Sequence, residues 1–386
     1  MNCRVCSHTM KKFLDLGMQP IANNFLEEDN ILNESFYRLE VFFCPFCYTV
    51  QIGNCPDKKK IFHKDYKFFT STSNYMVKHF KKLADKIKNK YISNDGFIVE
   101  IGSNDGSFLK NFRTYNHLGI DPSGNVNKVA REKGLTCWDA FFCEDVAEKI
   151  IECKGKADVI VTTNCFPHMV NRCSVLRGIK KLLKPDGIWI NEEAYLKNII
   201  DIVSYDQFYN EHIFYSSVNS FRKTMLLFGL SLFNVMQQHV HGGSMRYYIS
   251  HEGFVSPKSI IDSHVSIENL DEFHWFEEFA EFVEESRRRF LKYILSRNKE
   301  IVGYGATAKS TTILNYCKIG HSLINRIYDT TPDKQGKLSP GMHIPIVPYY
   351  EFERDDPKNV VLFAWNHAQE IYEKEKGSNI NWILPI

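Results

Sequence analysis

Val99-Glu100-Ile101-Gly102-Ser103-Asn104-Asp105-Gly106 is the stretch whose reading decides the fold. A short apolar run ends in Glu100-x-Gly102-x-x-x-Gly106, and residues 107–112 then read as the start of a helix. Strand, glycine turn, helix opens an α/β sheet of the kind that binds ligands outside the carboxyl ends of its strands. Gly102 and Gly106 let backbone approach a ligand closely at that edge. The next apolar run, His117-Leu118-Gly119-Ile120-Asp121, ends in an acid that can accept hydrogen bonds from ribose hydroxyls.

Working outward, residues 125–133 read as a helix and Ala157-Asp158-Val159-Ile160-Val161 as a third strand. Residues 179–183 end a helix, Lys184-Pro185-Asp186-Gly187 is a turn, and Ile188 starts a further strand. This alternation predicts a mainly parallel, doubly wound sheet. Upstream, an aromatic stretch from Phe62 through Tyr66, Lys67, Phe68 and Phe69 precedes Met76, Phe80, Leu83 and Ile87 at helical spacing. A helix starting near Ser73, with that hydroxyl as its cap, fits. Downstream, residues 195–250 read as irregular. Residues 272–300 read as one long helix with Phe276, Phe279, Val283, Phe290 and Ile294 on one face. A second strand–helix–strand pattern follows: Ile301 to Gly305, a helix through Leu314, and residues 324–329.

The glycine turn is not Gly-x-Gly-x-x-Gly, and Asn104-Asp105 stand where glycines would admit a pyrophosphate. S-adenosylmethionine has no phosphate, and an acidic loop suits its sulfonium and amino groups. Glu100, Gly102, Ser103, Asn104, Asp105, Gly106 and Asp121 are its candidate contacts. Asn164, closing the third strand, is placed to meet the methionine part. A dinucleotide is the rival ligand, and a Rossmann-like core without a ligand is a third reading. His168, close behind Asn164, reads equally well as a structural histidine.

At 386 residues, two or three domains are expected. The net charge of +2 gives no pull toward nucleic acid or an anionic membrane surface, and Lys58-Lys59-Lys60 reads as a solvated linker. No apolar run approaches the ~18 residues of a membrane span. Cys3 sits where the apolar part of a signal peptide would be building, so a cytoplasmic chain is expected. In a reducing compartment its 11 cysteines read as metal ligands and buried thiols. Cys3-x-x-Cys6 and Cys44-x-x-Cys47 form two knuckles whose four thiolates suit a tetrahedral zinc. Such a site leaves no open position, so the zinc is structural. Gly17, Pro20 and Asn23-Asn24 make the span between the pairs a looping hairpin insert, with His8 and Cys55 as spare groups nearby. The expected organisation is a zinc module (residues 1–58), a Rossmann-like class I methyltransferase core with an active-site insert (59–255), and a second Rossmann-like α/β domain (256–386).

The densest polar cluster is Tyr209-Asn210-Glu211-His212, followed by His241-Gly242-Gly243-Ser244-x-Arg246. Over essentially its full length the sequence resembles the zinc-containing sugar C-methyltransferases that act on nucleotide-linked 4-keto-deoxysugars. The resemblance rests on both Cys-x-x-Cys pairs, Glu100 to Gly106, Tyr209-x-Glu211-His212 and His241-Gly-Gly-Ser-x-Arg246. It extends to Gly303-Tyr-Gly-Ala-x-Ala-Lys309, Pro340-Gly-x-x-Ile-Pro345 and Ala364-Trp-Asn366. It implies His212 as the base that takes a proton from the carbon beside the ketone, with Tyr209 and Glu211 as companions. In an extended segment Glu211 and His212 would point to opposite faces.

The implied substrate is a nucleotide sugar, with dTDP as the expected nucleotide, near His241, Gly243, Ser244 and Arg246. The C-terminal domain would hold its nucleotide end. Backbone N–H groups of the Gly303-Tyr304-Gly305 turn would take phosphate, Lys309 would add charge, and Asp329 and Asn366 would contact ribose or base. A monomer or small homo-oligomer is expected. Asn210 stands where relatives commonly carry histidine, Asn191-Glu192-Glu193-Ala194 where Val-Glu-x-Pro is frequent, and Phe68-Phe69 in a tyrosine-rich stretch. These departures bear on which sugar is used. Methyl transfer to oxygen or nitrogen is the alternative reaction, and a nicotinamide oxidoreductase and a zinc-ribbon nucleic-acid module are readings from other classes.

Overall fold

The computed structural model describes residues 1–61, 66, 69–297 and 299–386. Phe62, Lys67 and Phe68 of the aromatic stretch lie outside the described residues. Three sheets organise the described residues. The central one has seven strands in the order Leu230–Gln238, Ser244–His251, Leu183–Ala194, Ala157–Thr163, Phe97–Ile101, Asn116–Asp121, Cys137–Asp139. Its last five strands are parallel, and Ser244–His251 runs antiparallel between Leu183–Ala194 and Leu230–Gln238. Phe97–Ile101 is buried at every position, as a central parallel strand covered on both faces must be. The chain leaves it toward Asn116–Asp121 on one side and returns to Ala157–Thr163 on the other. The glycine turn therefore sits at the switch point of the sheet.

Helix Asn74–Lys90 starts where expected, and Met76 N–H donates to Ser73 Oγ at 3.3 Å. The sequence reading differs from the fold in three places. Residues 107–112 form only a short 3-10 turn, Leu109–Phe112, because Phe108, Leu109 and Phe112 all turn into the core. Lys184 to Gly187 is not a turn but part of strand Leu183–Ala194, which absorbs the irregularity by shifting register against Ala157–Thr163. Most of residues 195–250 is regular: helices Leu196–Asp201 and Val218–Leu227, then the two strands of a hairpin. Its aromatics, Phe221, Tyr247 and Tyr248, are packed core.

The N-terminal sheet pairs Lys11–Pro20, Phe36–Phe43 and Val50–Ile52 with Phe214–Tyr215. That last strand lies directly after the Tyr209–His212 stretch, so the zinc module's sheet fixes one end of it. The expected looping insert is mostly two long strands with residues 21–35 at their tip. The C-terminal sheet is all parallel, in the order Ile346–Pro348, Ile327–Asp329, Val302–Tyr304, Asn359–Leu362, Asn381–Ile383. Helix His274–Leu295 buries the expected apolar stripe. Phe276 lies 5.0 Å from Phe13 and 4.6 Å from Phe43, ring to ring. One apolar core thus runs from the zinc module through Phe208 into Ile313 of helix Ala308–Cys317 and Ile327 of the C-terminal sheet.

Candidate active site

The first glycine turn is closed by its own sheet. Gly102 and Ser103 N–H both donate to Ile120 carbonyl, Asn104 N–H donates to Asp121 Oδ2, and Gly106 N–H donates to Ser103 carbonyl. Those four donors are unavailable to a pyrophosphate, which removes the main argument for a dinucleotide. Gly102 has φ +77°, and a Cβ there would lie 2.5 Å from Cys165 Cβ, so only glycine fits. Ser103 is a correction to the sequence reading: its side chain packs down against Gly119 rather than outward.

Asp105 is fully buried and committed to the protein, accepting from Ser71 N–H at 3.1 Å and Ser107 Oγ at 2.7 Å, with Lys133 3.4 Å away. It holds the loop. Asp121 accepts Ser123 N–H at 2.9 Å and Asn104 N–H at 3.1 Å, one per carboxylate oxygen, which leaves lone pairs for further donors. Burial raises its pKa against those backbone donors. Burial, then Asp105 and Asp121, push Glu100 well above the carboxylate range, and its Oε2 has no hydrogen-bond partner among the described residues. Asn164 takes a left-handed φ of +51° at the end of Ala157–Thr163.

Residues 209–212 form a turn rather than an extended segment, with His212 N–H donating to Tyr209 carbonyl at 3.1 Å. Residues three apart in such a turn come side by side. Tyr209 Oη lies 2.9 Å from His212 Nε2. The His168 ring packs edge-on to His212 at 4.6 Å, and its Nδ1 lies 2.7 Å from Glu211 carbonyl. Burial first, then the neighbouring His168, Lys309 and His241, hold His212 well below the usual imidazole range, so it is neutral at pH 7. Glu211 and Asn210 turn the other way. Glu211 accepts three bonds from Asn23 at 2.9–3.0 Å, and Asn210 Nδ2 donates to Pro20 carbonyl at 2.6 Å.

Of the second cluster, His241 (φ +53°) faces this centre, and burial followed by Lys309 lowers its pKa to about 4. Gly243 is required by Asn198, whose Nδ2 would meet a Cβ at 1.8 Å, and Ser244 Oγ donates to Val240 carbonyl. Arg246 is the counter-ion of a buried carboxylate. Its Nε and Nη2 donate to the buried Glu192 at 2.7 and 2.6 Å, and His79 Nε2 lies 2.7 Å from the other Glu192 oxygen. Burial alone would raise Glu192, but His79 and Arg246 outweigh it and its pKa falls.

The second glycine turn overturns an expectation. Gly303 N–H donates to Arg326 carbonyl, Gly305 N–H to Tyr328 carbonyl, Ala306 N–H to Asp329 Oδ2 at 2.7 Å and Thr307 N–H to Ser310 Oγ at 3.0 Å. The turn keeps no donor at those positions for phosphate, and Asp329 braces it as Asp121 braces the first. Gly303 packs against Phe363, and Tyr304 turns into the small core, where Oη donates to Glu375. Both positions face packed protein, because strand residues here alternate between buried faces.

Lys309, in the first turn of helix Ala308–Cys317, is brought to the centre instead, with Nζ 3.5 Å from Asn366 Oδ1. Beside it the buried Asp206 accepts Trp365 Nε1–H at 2.6 Å. Burial raises Asp206 to about 6 against the pull of Lys309. The Trp365 ring lies over Gly242, where a Cβ would meet it at 2.9 Å.

Three family models match successive parts of the chain. They are a zinc binding domain over residues 3–62, a methyltransferase domain over residues 74–235 and a C-methyltransferase C-terminal domain over residues 239–386. The C-methyltransferase NovU of Streptomyces niveus is 31% identical across 402 aligned residues, covering 100% of this chain and 95% of its own. The chain belongs to the zinc-binding, S-adenosylmethionine-dependent C-methyltransferases. Among solved structures, an S-adenosylmethionine-dependent methyltransferase from Anabaena variabilis is 13% identical over 46% of this chain and 85% of its own, at a TM-score of 0.38. Magnesium protoporphyrin IX methyltransferase of Synechocystis, solved with bound S-adenosylhomocysteine, is 12% identical over 46% of this chain and 83% of its own, at 0.37. Likenesses so distant carry nothing about the substrate.

The residues fit both groups of this methyltransferase. Asp121 has acceptors to spare, and Glu100 Oε2 lacks a protein donor among the described residues, so both can meet the hydroxyl and amino donors of S-adenosylmethionine. The Sγ atoms of Cys3, Cys6, Cys44 and Cys47 all lie within 4.8 Å of one another. Cys3–Cys47 at 3.6 Å and Cys6–Cys44 at 3.4 Å match the spacing of about 3.8 Å that ~2.3 Å bonds to a tetrahedral zinc impose. His8 instead stacks on Phe46.

Sequence reasoning gave no site role to Asn23, His79 or Asp206, and named Glu192 and Trp365 only as parts of longer motifs. Their partners lie far along the chain, 188 residues for Asn23 and Glu211, and no local pattern announces them.

Proposed function

We propose that this C-methyltransferase acts on a nucleotide-linked 4-keto-deoxysugar, with dTDP as the expected nucleotide, and methylates the carbon beside the ketone. The observation that carries the reading is the buried, neutral His212 bonded to Tyr209 Oη where the methyltransferase sheet meets the C-terminal unit. A carbon beside a ketone loses its proton at pH 7 only if a base and a stabiliser of the enolate oxygen are held together. A positioned base contributes ~10²–10⁴-fold. His212 is kept neutral and ready, and His212 Nε2 with Tyr209 Oη takes up the proton as a unit. Lys309 and the N-terminal end of its helix place positive potential beside the same centre, where developing negative charge is favoured.

S-adenosylmethionine, when bound, supplies an electrophilic methyl group. Glu100, Asp121, Asn164 and the Gly102–Gly106 turn orient it, while Lys309, Asn366 and His241 face the sugar nucleotide. Residues 1–58, 59–255 and 256–386 then divide the work among zinc module, donor domain and nucleotide domain.

The test offers nucleotide-linked 4-keto sugars with labelled methyl donor and follows deuterium uptake from solvent beside the ketone. Wild type exchanges that hydrogen, and His212→Ala loses exchange by ~10²–10⁴-fold while keeping S-adenosylhomocysteine affinity. Label appearing on oxygen or nitrogen, or exchange that survives His212→Ala, refutes the reading.

A further inference from the structure

The tip of the zinc hairpin, residues 21–35, touches two places at once. On one side it docks on the C-terminal unit. Leu26 and Leu338 exchange two backbone bonds of 3.1 and 2.8 Å, and Glu34 accepts Gly341 N–H at 2.9 Å and His343 Nε2–H at 2.8 Å. On the other side it grips the catalytic turn. Asn23 N–H donates to Glu211 Oε1 at 3.0 Å, and Asn23 Nδ2 donates to Oε1 and Oε2 at 3.0 and 2.9 Å. Beside it, Ala22 N–H donates to Asn210 Oδ1 at 3.3 Å, and Asn210 donates to Pro20 carbonyl.

Glu211 is only 3% exposed, and a buried carboxylate is costly unless donors meet it. Asn23 supplies those donors. Asn23 gives the Glu211 carboxylate three hydrogen bonds, and Glu211 carbonyl in turn holds His168 Nδ1 at 2.7 Å. Moving Glu211 therefore moves both imidazoles.

We propose that Asn23 is a positioning residue for the reaction. In this reading Glu211 works by anchoring the catalytic turn to the zinc hairpin, not by acting on His212. Zinc, by holding the hairpin's base, then sets the geometry of a base it never touches. The inference rests on the assignment of His212 under the proposed function.

The experiment uses the zinc-loaded full chain carrying Asn23→Ala, Asn23→Asp, Glu211→Gln or the Asn23→Asp/Glu211→Gln swap. In the swap, the carboxylate introduced at position 23 accepts from the amide introduced at position 211, so donor and acceptor are exchanged and the clamp is rebuilt. The first readout, amide exchange over residues 205–213, needs no substrate. Asn23→Ala and Asn23→Asp accelerate it by about tenfold or more, and the swap returns it to within about threefold of wild type.

The second readout is turnover. Misplacement by ~1 Å costs about 10²-fold, so kcat falls on that order in Asn23→Asp while KM and the S-adenosylhomocysteine Kd stay within about threefold. The swap recovers kcat to within about tenfold of wild type. Unchanged exchange in both Asn23 variants overturns the clamp. A swap that restores exchange but leaves kcat at the Asn23→Asp level overturns the role given to Glu211, because its charge is then needed in itself. If wild type turns over none of the nucleotide sugars, the substrate assignment fails while the exchange readout still decides the clamp.

Discussion

Gly102→Ala tests the donor site most directly. The residue holds φ +77°, where an L side chain costs ~1–2 kcal/mol. Its new Cβ would also meet Cys165 Cβ at 2.5 Å and Sγ at 2.7 Å, and that thiol is itself pinned by donating to Ile101 carbonyl at 2.8 Å. Overpacking of this kind costs ~1–3 kcal/mol. The sum, ~2–5 kcal/mol, lowers the melting temperature by roughly 4–20 °C at ~2–4 °C per kcal/mol. Whatever part is relieved by displacing the turn appears as weaker donor binding, about tenfold per ~1.4 kcal/mol.

The assay is a thermal melt of the zinc-loaded protein together with a calorimetric titration of S-adenosylhomocysteine. A double-mutant cycle with Cys165→Gly, which deletes both clashing atoms, separates the two costs. The double mutant recovers the steric share and keeps the backbone share. If Gly102→Ala melts and binds as wild type does, or if Cys165→Gly rescues nothing, the close approach is not what demands glycine here.

Three further outcomes follow from the same contacts. Arg246→Met leaves Glu192 buried with only His79, a loss of ~3–5 kcal/mol by urea denaturation; adding Glu192→Gln should recover much of it, and no recovery would contradict the ion-pair account. His168, His212 and His241 all have imidazole pKa values pushed below 6.5 by burial, so the unfolded chain binds more protons as pH falls. Their contribution to stability is present above 6.5 and is lost through the window down to about 4 for His241; the acid limb of the turnover profile lies below 6.5 too, because the base stays neutral there, and a limb at or above 6.5 would exclude His212 as the base. Cys44→Ser, or chelation, removes a thiolate from the zinc set and should speed amide exchange in Phe36–Phe43, Val50–Ile52 and Phe214–Tyr215 together, since they share one sheet, while Ala157–Thr163 is spared.

How much was legible varied with the range of the interaction. Strand Phe97–Ile101, its glycine turn and Asp121 could be read because apolar runs and left-handed glycines are local properties. The Cys-x-x-Cys knuckles were legible for the same reason. The 3-10 turn at Leu109–Phe112 was misread as a helix start because three apolar side chains there answer to the core and not to helical period. The strands hidden in residues 195–250 went unseen because they are aromatic on faces that only sheet pairing defines.

Sequence alone determined the two Rossmann-like units and the two Cys-x-x-Cys knuckles, since each is written in residues a few positions apart, whereas the Tyr209–His212 bond came with the turn between them. Only the tertiary structure decided which polar atoms remain for a ligand. Arg246 went to Glu192, the donors of the second glycine turn went to Tyr328, Asp329 and Ser310, and Glu211 went to Asn23. The physical reason is that a buried polar group must be satisfied by whatever the fold brings within hydrogen-bond reach. Spacing in the chain carries no record of that partner.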